Sequence, residues 1–298
     1  MSALDSEMEA YGFATDLIIV LNIKTSDKWN MQSEDMGRFV DGLTALAALE
    51  CDERGSQIRR MLLAQGPTAV QNVVDALSCR EVLLKCKGAS ALGSICMCPS
   101  AAANLMERHG PSIVKALLRM IQIKSRWAQG DACFVLGWIV RWSSSSDKYL
   151  IQIAEQVPRV CDALSSTFST TNVARTCQDP ADDQDRESNL RIYPLVLLLH
   201  LSQRVPDSST IAQPILQALN EVFHALVDDI AMDERSTIAQ LAVSMLWTLT
   251  HRYPDSSRVV LELRMVPVLA KLTTVSFDCP EVAQQIRVIL AAVVQANR

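Results

Sequence analysis

The sequence has few of the residues that interrupt helices or build sheets. Its 298 residues include only 10 glycines and 11 prolines, and aromatic residues make up 5%. Hydrophobic residues make up 49% of the chain, and Ala, Leu and Val dominate them. This composition favours helix over sheet and is sufficient for a continuous core. We therefore predict an all-α fold.

Positive charge and long apolar runs are also scarce. The formal net charge is −5, whereas phosphate contacts need clustered Lys and Arg, so we expect no nucleic-acid partner. The longest early apolar run, Leu17 to Leu21, is too short to span a bilayer. The acidic start, MSALDSEMEAYGF, lacks the basic region of a signal peptide. We predict a cytoplasmic protein without membrane insertion, with nuclear and ciliary locations as alternatives.

No pattern for metal binding or catalysis is present. The nine cysteines form no C-x-x-C pair, and no histidine lies at zinc spacing from them. Nucleotide loops, G-x-S-x-G and H-E-x-x-H are missing, and the four histidines are far apart in sequence. We expect reduced thiols, no metal, no cofactor, no small-molecule substrate and no catalytic activity.

Helix-opening prolines recur along the chain at intervals of about 44 to 56 residues, the sign of a repeat protein. Pro111, for example, begins PSIVKALLRMIQ, whose apolar residues follow a helical period. A second marker agrees, because RVPDSS at Arg204–Ser209 returns as RYPDSS at Arg252–Ser257. The stops and prolines are Gly66-Pro67, Gly110-Pro111, Val157-Pro158, Gln213-Pro214 and Val266-Pro267.

These units resemble armadillo repeats over nearly the whole chain. The resemblance lies in a short helix ending in Gly (MLLAQG, LMERHG), a G-P opening of the second helix, and an A-L-x-x-L core in the third. That core reads ALAAL at 45–49, ALGSI at 91–95, VLGWI at 135–139, LLLHL at 197–201 and MLWTL at 245–249. The resemblance implies a right-handed superhelical α-solenoid of three-helix repeats. The HEAT repeat is the nearest alternative.

We predict about six units in a single domain over residues 1–298. The first unit lacks its short helix, and the first and last should be the caps that a solenoid needs for solubility. Capping boxes, Ser78-x-x-Glu81 and Asp278-x-x-Glu281, are predicted to open the last helices of units two and six. Units two to six begin at Glu53, Pro99, Ser143, Pro206 and Pro254.

One segment interrupts the repeats. Residues 169–189, STTNVARTCQDPADDQDRESN, have almost no apolar periodicity and carry five carboxylates. We interpret them as an acidic insertion loop in unit four. It is either a solvated loop with no task or an arm that touches a partner.

The resemblance implies a protein-binding groove lined by the third helices. Importins hold extended peptides there with a tryptophan and, one turn later, an asparagine. No unit of this chain has that pair, so the import-signal ligand is not implied. The positions flanking each core leucine are Thr44 and Ala48, Ser90 and Ser94, Phe134 and Trp138, Val196 and His200, and Ser244 and Thr248.

Unit three supplies the candidate anchors. Phe134, Trp138 and Trp142 recur every four residues on one helix face, near Trp127. Exposed aromatic residues in a groove are typical interface anchors. The alternative is that the row packs against the next repeat as core.

A basic row accompanies the aromatic residues. Arg141 lies beside the tryptophans, and Arg204 and Arg252 each follow a core leucine by six residues. Such a row would suit an acidic segment, whereas the alternative is that these arginines offset helix macrodipoles. The predicted partner-binding residues are Trp127, Phe134, Trp138, Arg141, Trp142, His200, Arg204, Thr248 and Arg252.

These features favour a non-catalytic scaffold or adaptor that binds a protein segment on its concave groove. Two alternatives remain: a structural subunit of a large ciliary or organellar assembly, and a co-factor clamp for the seventy-kilodalton heat-shock chaperone.

Overall fold

The computed structural model describes residues 3–22, 33–143, 148–168, 187–206, 209–229, 232, 234–253 and 255–296. All regular secondary structure in these ranges is helical. The described residues up to Trp142 form one compact unit, and those from Ser143 onward form a second. We refer to them as the N-terminal unit and the C-terminal unit.

The N-terminal unit consists of two packed rows of helices. In one row α5 lies between α2 and α7, and in the other α1 packs against α3 and α3 against α6. The rows are joined by contacts of α1 with α2 and of α6 with α7. The helices are α1 (Ala3–Leu21), α2 (Glu34–Ala47), α3 (Glu53–Gln65), α4 (Pro67–Ala76), α5 (Val82–Cys96), α6 (Pro99–Ile121) and α7 (Arg126–Trp142).

The C-terminal unit has the same arrangement. Helix α12 lies between α10 and α15, while α11 packs against α9 and α14. The helices are α8 (Lys148–Ala154), α9 (Val157–Phe168), α10 (Glu187–Arg204), α11 (Ser209–Asp228), α12 (Arg235–Arg252), α13 (Ser256–Glu262), α14 (Met265–Leu272) and α15 (Glu281–Ala296). The predicted third helices therefore correspond to α2, α5, α7, α10, α12 and α15.

The position of helix α5 between two other helices explains why its sequence is rich in small residues. It is covered from both sides by α2 and α7, and Ala89, Leu92 and Ile95 are fully buried. A Cβ atom on Gly88 would lie 3.0 Å from the Cβ of Ala76 in α4. The small side chains thus let neighbouring helices approach closely enough to bury a continuous apolar core.

Two of the five predicted helix breaks at proline are wrong. Pro67 and Pro158 lie at the start of α4 and α9, and Pro267 lies in the first turns of α14. Pro111 and Pro214, however, lie inside α6 and α11, which are continuous. Proline normally disfavours a helix interior. In α6 most apolar residues before and after Pro111 are buried, among them Leu105, Ile113 and Leu117, so a continuous helix covers the core without a turn.

The predicted capping box at Ser78 is also wrong. Helix α5 begins at Val82 after Glu81, which makes no side-chain cap, and the Ser78 amide instead donates to the Asp75 carbonyl in a turn. At the other predicted box, α15 does begin at Glu281. The Asp278 carboxylate there accepts from the Ser236 hydroxyl at 2.9 Å rather than capping the helix.

The predicted acidic insertion lies almost entirely outside the described residues. Only its last three residues, 187–189, are described, and they form the first turn of α10. Within the described ranges, no helix has both the length and the apolar character needed to cross a membrane.

Candidate protein-binding surfaces

An aromatic and cationic cluster occupies the end of α7. The rings of Trp138 and Trp142 are stacked, with centroids 6.0 Å apart and planes 21° apart. The Arg141 guanidinium lies 5.1 Å from the first ring and 5.0 Å from the second. Both distances permit a cation–π interaction, worth about 0.5–1 kcal/mol at exposed sites. We call these three residues the tryptophan cluster.

The tryptophan cluster is exposed and held in place. Trp142 keeps 39% of its surface accessible, Arg141 is exposed and Trp138 is half-buried. The indole N–H of Trp142 donates to the Cys96 carbonyl in the last turn of α5 at 2.9 Å. This bond fixes a large apolar ring at the surface, so a partner would not have to order it on binding.

The aromatic residues predicted to be anchors on α7 differ in how deeply they are buried. Phe134 is half-buried, and a Cβ on Gly93 of α5 would lie 2.2 Å from its ring, so Phe134 packs between α5 and α7. Trp127 is only 6% exposed and belongs to the core. Trp127 must therefore be corrected from a surface anchor to a core residue, because it lies on the buried side of α7.

Side chains from the following repeat bind the carbonyl groups at the ends of the third helices. In each case the acceptor lies four residues after the buried core leucine of its helix. The Arg59 guanidinium donates to the Glu50 carbonyl at 3.0 Å, and Arg252 donates to the Ser202 carbonyl at 2.8 Å. The bond from Trp142 to Cys96 is the third case. We call these bonds carbonyl ties.

The guanidinium of Arg252 is therefore bound to the carbonyl groups at the end of α10. It also donates to the carbonyls of Gln203 and Val205, and the Tyr253 hydroxyl donates to Ser202 at 3.1 Å. An exposed cation on helix C-terminal carbonyls is electrostatically favourable. The geometry therefore favours the alternative interpretation, in which Arg252 offsets a helix macrodipole. The helix it stabilises is α10 of the preceding repeat rather than its own.

The other predicted residues of the C-terminal unit lie on α10 and α12. His200 is half-buried and Arg204 is exposed on α10. Thr248 is half-buried, and its hydroxyl donates to the Ser244 carbonyl of the same helix at 2.9 Å. The hydroxyl oxygen retains the capacity to accept a hydrogen bond from a ligand.

Thr248 lines a cleft of about 550 Å³ between α12 and α15. Sequence analysis missed its largest side chain, Trp247, which is partly exposed and stacks on His251 with ring centroids 3.7 Å apart. The signal was the spacing of four residues between these two rings. The lining residues are Gln203, Ser244, Trp247, Thr248, Glu281, Gln284, Gln285 and Val288.

Most of the described residues that line the cleft are polar, and one of them, Glu281, is ionisable. The Cys279 thiol donates to the Glu281 carboxylate at 2.9 Å, which holds the pKa of that carboxyl below its ordinary value. The glutamine amides offer both donors and acceptors. The cleft is therefore suited to a neutral or basic polypeptide rather than an acidic one.

The described part of the chain brings no metal-binding group together, and two of its cysteines are deeply buried. No group of three His, Cys, Asp or Glu side chains there is placed to hold a metal ion. Burial raises the pKa of the Cys96 and Cys161 thiols to about 12. These two thiols are thus protonated and unreactive at neutral pH.

Comparison with known proteins gives structural likeness without sequence likeness. No protein-family model and no curated protein sequence matches the chain. An engineered protein superposes with a TM-score of 0.64 at 15% identity, covering 94% of this chain and 99% of that one. A designed armadillo repeat protein in complex with the peptide (KR)4 matches at 0.56 and 13% identity, covering 95% and 98%.

Kap95p, described together with RanGDP, matches with a TM-score of 0.53 at 12% identity. That match covers 99% of this chain and 37% of Kap95p. The fold is therefore that of an armadillo- and HEAT-like helical solenoid, which confirms the predicted all-α class. At these identities the likeness extends to the fold alone.

Proposed function

We propose that this protein is a non-catalytic scaffold that binds a protein segment on the faces of its third helices. The observation that carries the proposal is the tryptophan cluster on α7. It combines two stacked indoles with a cation, and the armadillo resemblance assigns one of these indoles, Trp138, to a groove-lining position.

The physical argument is the energetic weight of such clusters in interfaces. Trp and Arg are enriched among the few residues that dominate binding energy, and truncating one typically costs about 2 kcal/mol or more. A ring already fixed by its bond to Cys96 loses little conformational entropy on association. Both arguments support a role for the tryptophan cluster as a binding anchor for a partner protein.

The C-terminal unit contributes a second surface, the cleft between α12 and α15. Its glutamine side chains can pair with the backbone amides of an extended segment, while Trp247 and Val288 present apolar surface. The negative charge of Glu281 favours a neutral or basic segment. The bound peptide of the designed armadillo protein supports this mode by analogy.

The test compares partner recovery by tagged full-length variants, measured by quantitative mass spectrometry. We expect Trp138→Ala to weaken partner binding about thirtyfold, equivalent to about 2 kcal/mol, while the circular dichroism spectrum stays helical. Leu261→Ala is the control for removing a large apolar side chain outside the cluster, because Leu261 of α13 is 38% exposed. Equal recovery of every partner by folded Trp138→Ala and by the control would refute the role of the cluster.

A further inference from the structure

The first helix presents an exposed apolar row. Met8, Tyr11 and Ile19 of α1 are 69%, 55% and 67% exposed, and their spacing places them on one side of the helix. The opposite side carries the fully buried residues Ala10, Ala14 and Leu21, which pack into the unit. Large apolar side chains aligned in this way on an exposed face mark an interaction site more often than scattered ones do.

The same end of the N-terminal unit contains a cleft of about 710 Å³ between α1 and α2. Its apolar lining includes Phe13, Leu17, Val20 and Ala45, and Ile19 belongs both to the cleft and to the exposed row. Among the described residues, α3 to α7 contribute nothing to the lining. The described lining of the cleft therefore comes from α1, from α2 and from Asn22, which directly follows α1.

Negative charge surrounds this apolar surface. Helices α1 and α2 together contain seven acidic residues and one basic residue. Asp16, Asp35 and Asp41 line the cleft itself. Arg38, the single basic residue of α1 and α2, lies 3.8 Å from the Glu34 carboxylate in the preceding turn, so part of its charge is already offset. Arg54 of α3 lies 3.7 Å from the Glu9 carboxylate of α1, which leaves Asp16, Asp35 and Asp41 as the acidic residues of the cleft.

We propose that this end surface docks a basic amphipathic helix of a partner protein. An apolar stripe on that helix would cover the row from Met8 to Ile19 and enter the cleft beside Phe13 and Val20. Lys or Arg residues flanking the stripe would meet Asp16, Asp35 and Asp41. This surface lies at the α1–α2 end of the N-terminal unit and includes neither the tryptophan cluster nor the α12–α15 cleft, so the inference does not depend on the proposed function.

A helix is the occupant that the local packing favours. Within the unit, α1 and α2 are covered on their other sides by helices, α1 by α3 and α4 and α2 by α5. The open side offers the same surface of ridges and grooves, which a further helix fits. A second copy docked through the same end would place acidic residues against acidic residues, which is unfavourable.

The experiment measures binding of fluorescent synthetic helices to the full-length chain by anisotropy. The basic probe, about 18 residues long, carries Leu at i, i+3, i+4 and i+7 with Lys on both flanks. One matched probe has Glu in place of Lys, and another has the basic composition with its leucines scattered around the helix. We expect the basic amphipathic probe to bind about tenfold more tightly than either control, with affinity falling as salt rises.

Two variants locate the binding. Ile19→Gln and the triple change Asp16→Asn, Asp35→Asn and Asp41→Asn should each weaken binding of the basic probe about tenfold. Ile151→Gln is the matched control, because Ile151 on α8 is 65% exposed, and it should bind like the wild type.

Equal binding of the scattered probe, no binding of the basic probe, or unchanged binding by Ile19→Gln would overturn the inference. Light scattering supplies a further outcome. A wild-type dimer that Ile19→Gln converts to a monomer would show that a second copy occupies the surface, which would also overturn it.

Discussion

The ends of α7 and α12 occupy the same position in two repeats but differ in what they leave for a partner. Trp142 and Arg252 both lie six residues after a buried core leucine, and both donate to a carbonyl of the preceding third helix. Trp142 makes this bond with its indole N–H and keeps 39% of its surface exposed. Arg252 uses its charged group for the bond. The repeat position thus fixes the structural role, and the side chain decides what binding surface remains.

The two helix pairs beneath these residues differ in which helix carries the larger side chain. In the N-terminal unit, Gly93 of α5 lies under the large ring of Phe134 in α7. At the equivalent positions of the C-terminal unit, Leu199 is large and Ser244 is small. Either distribution can supply similar total side-chain volume at this position of the helix pair, and conserved volume is what cores tolerate best.

The largest expected effect comes from the buried carbonyl tie. Arg59 is fully buried and binds the carbonyls of Leu49 and Glu50 and the Ser94 hydroxyl. Arg59→Met should lower the free energy of unfolding by about 3 kcal/mol, because the buried Ser94 hydroxyl and two part-buried carbonyls lose their donor. Urea denaturation followed by circular dichroism measures this. A loss no greater than that of the exposed-site variant Arg252→Met would contradict the role of burial.

Adding a side chain at Gly93, under the Phe134 ring, should have the next largest effect on stability. A Cβ on Gly93 would overlap the Phe134 ring, so Gly93→Ala should destabilise the chain by about 1–3 kcal/mol. Adding Phe134→Ala should make the double variant less unstable than the sum of the two single variants. Gly12→Ala is the control, because a Cβ there meets open space, and it should stabilise α1 by about 1 kcal/mol. Additive effects of the first pair would disprove the contact.

Removing only the indole N–H should have a smaller effect. Trp142→Phe keeps an aromatic ring but leaves the Cys96 carbonyl without this donor. We expect a loss of about 1 kcal/mol in the free energy of unfolding, and partner binding weaker than wild type because the ring is no longer fixed. Thermal unfolding and the recovery assay measure the two effects. A fully wild-type protein in both assays would show that the bond does not hold the cluster.

The smallest effect on stability should come from replacing the tryptophan that makes the carbonyl tie at α7 with the arginine that makes it at α12. Trp142→Arg places at α7 the residue that makes the tie at α12, so stability should change by less than about 1 kcal/mol. Partner recovery should nevertheless fall as far as it does for Trp138→Ala. Retained binding with Arg at this position would mean that the cation, not the indole, carries affinity.

The all-helical class followed from local pattern. Prolines 67 and 158 begin helices as predicted, because a residue with fixed φ and no N–H fits a first turn whatever lies nearby. Pro111 and Pro214 were misinterpreted as breaks, because the same residue can also lie within a helix that packing holds on both sides. Local sequence does not distinguish these two cases.

The sequence by itself determined that the chain is an all-helical array with aromatic residues concentrated on α7 and carboxylates on α1 and α2. Only the tertiary structure decided that Trp127 lies inside, that Trp142 lies outside, and that Arg252 binds the end of α10. The reason is that apolar residues surround most of α7, so neighbouring helices select which side is covered. Each carbonyl tie to Cys96 or Ser202 joins residues about fifty positions apart, and only packing brings such groups together.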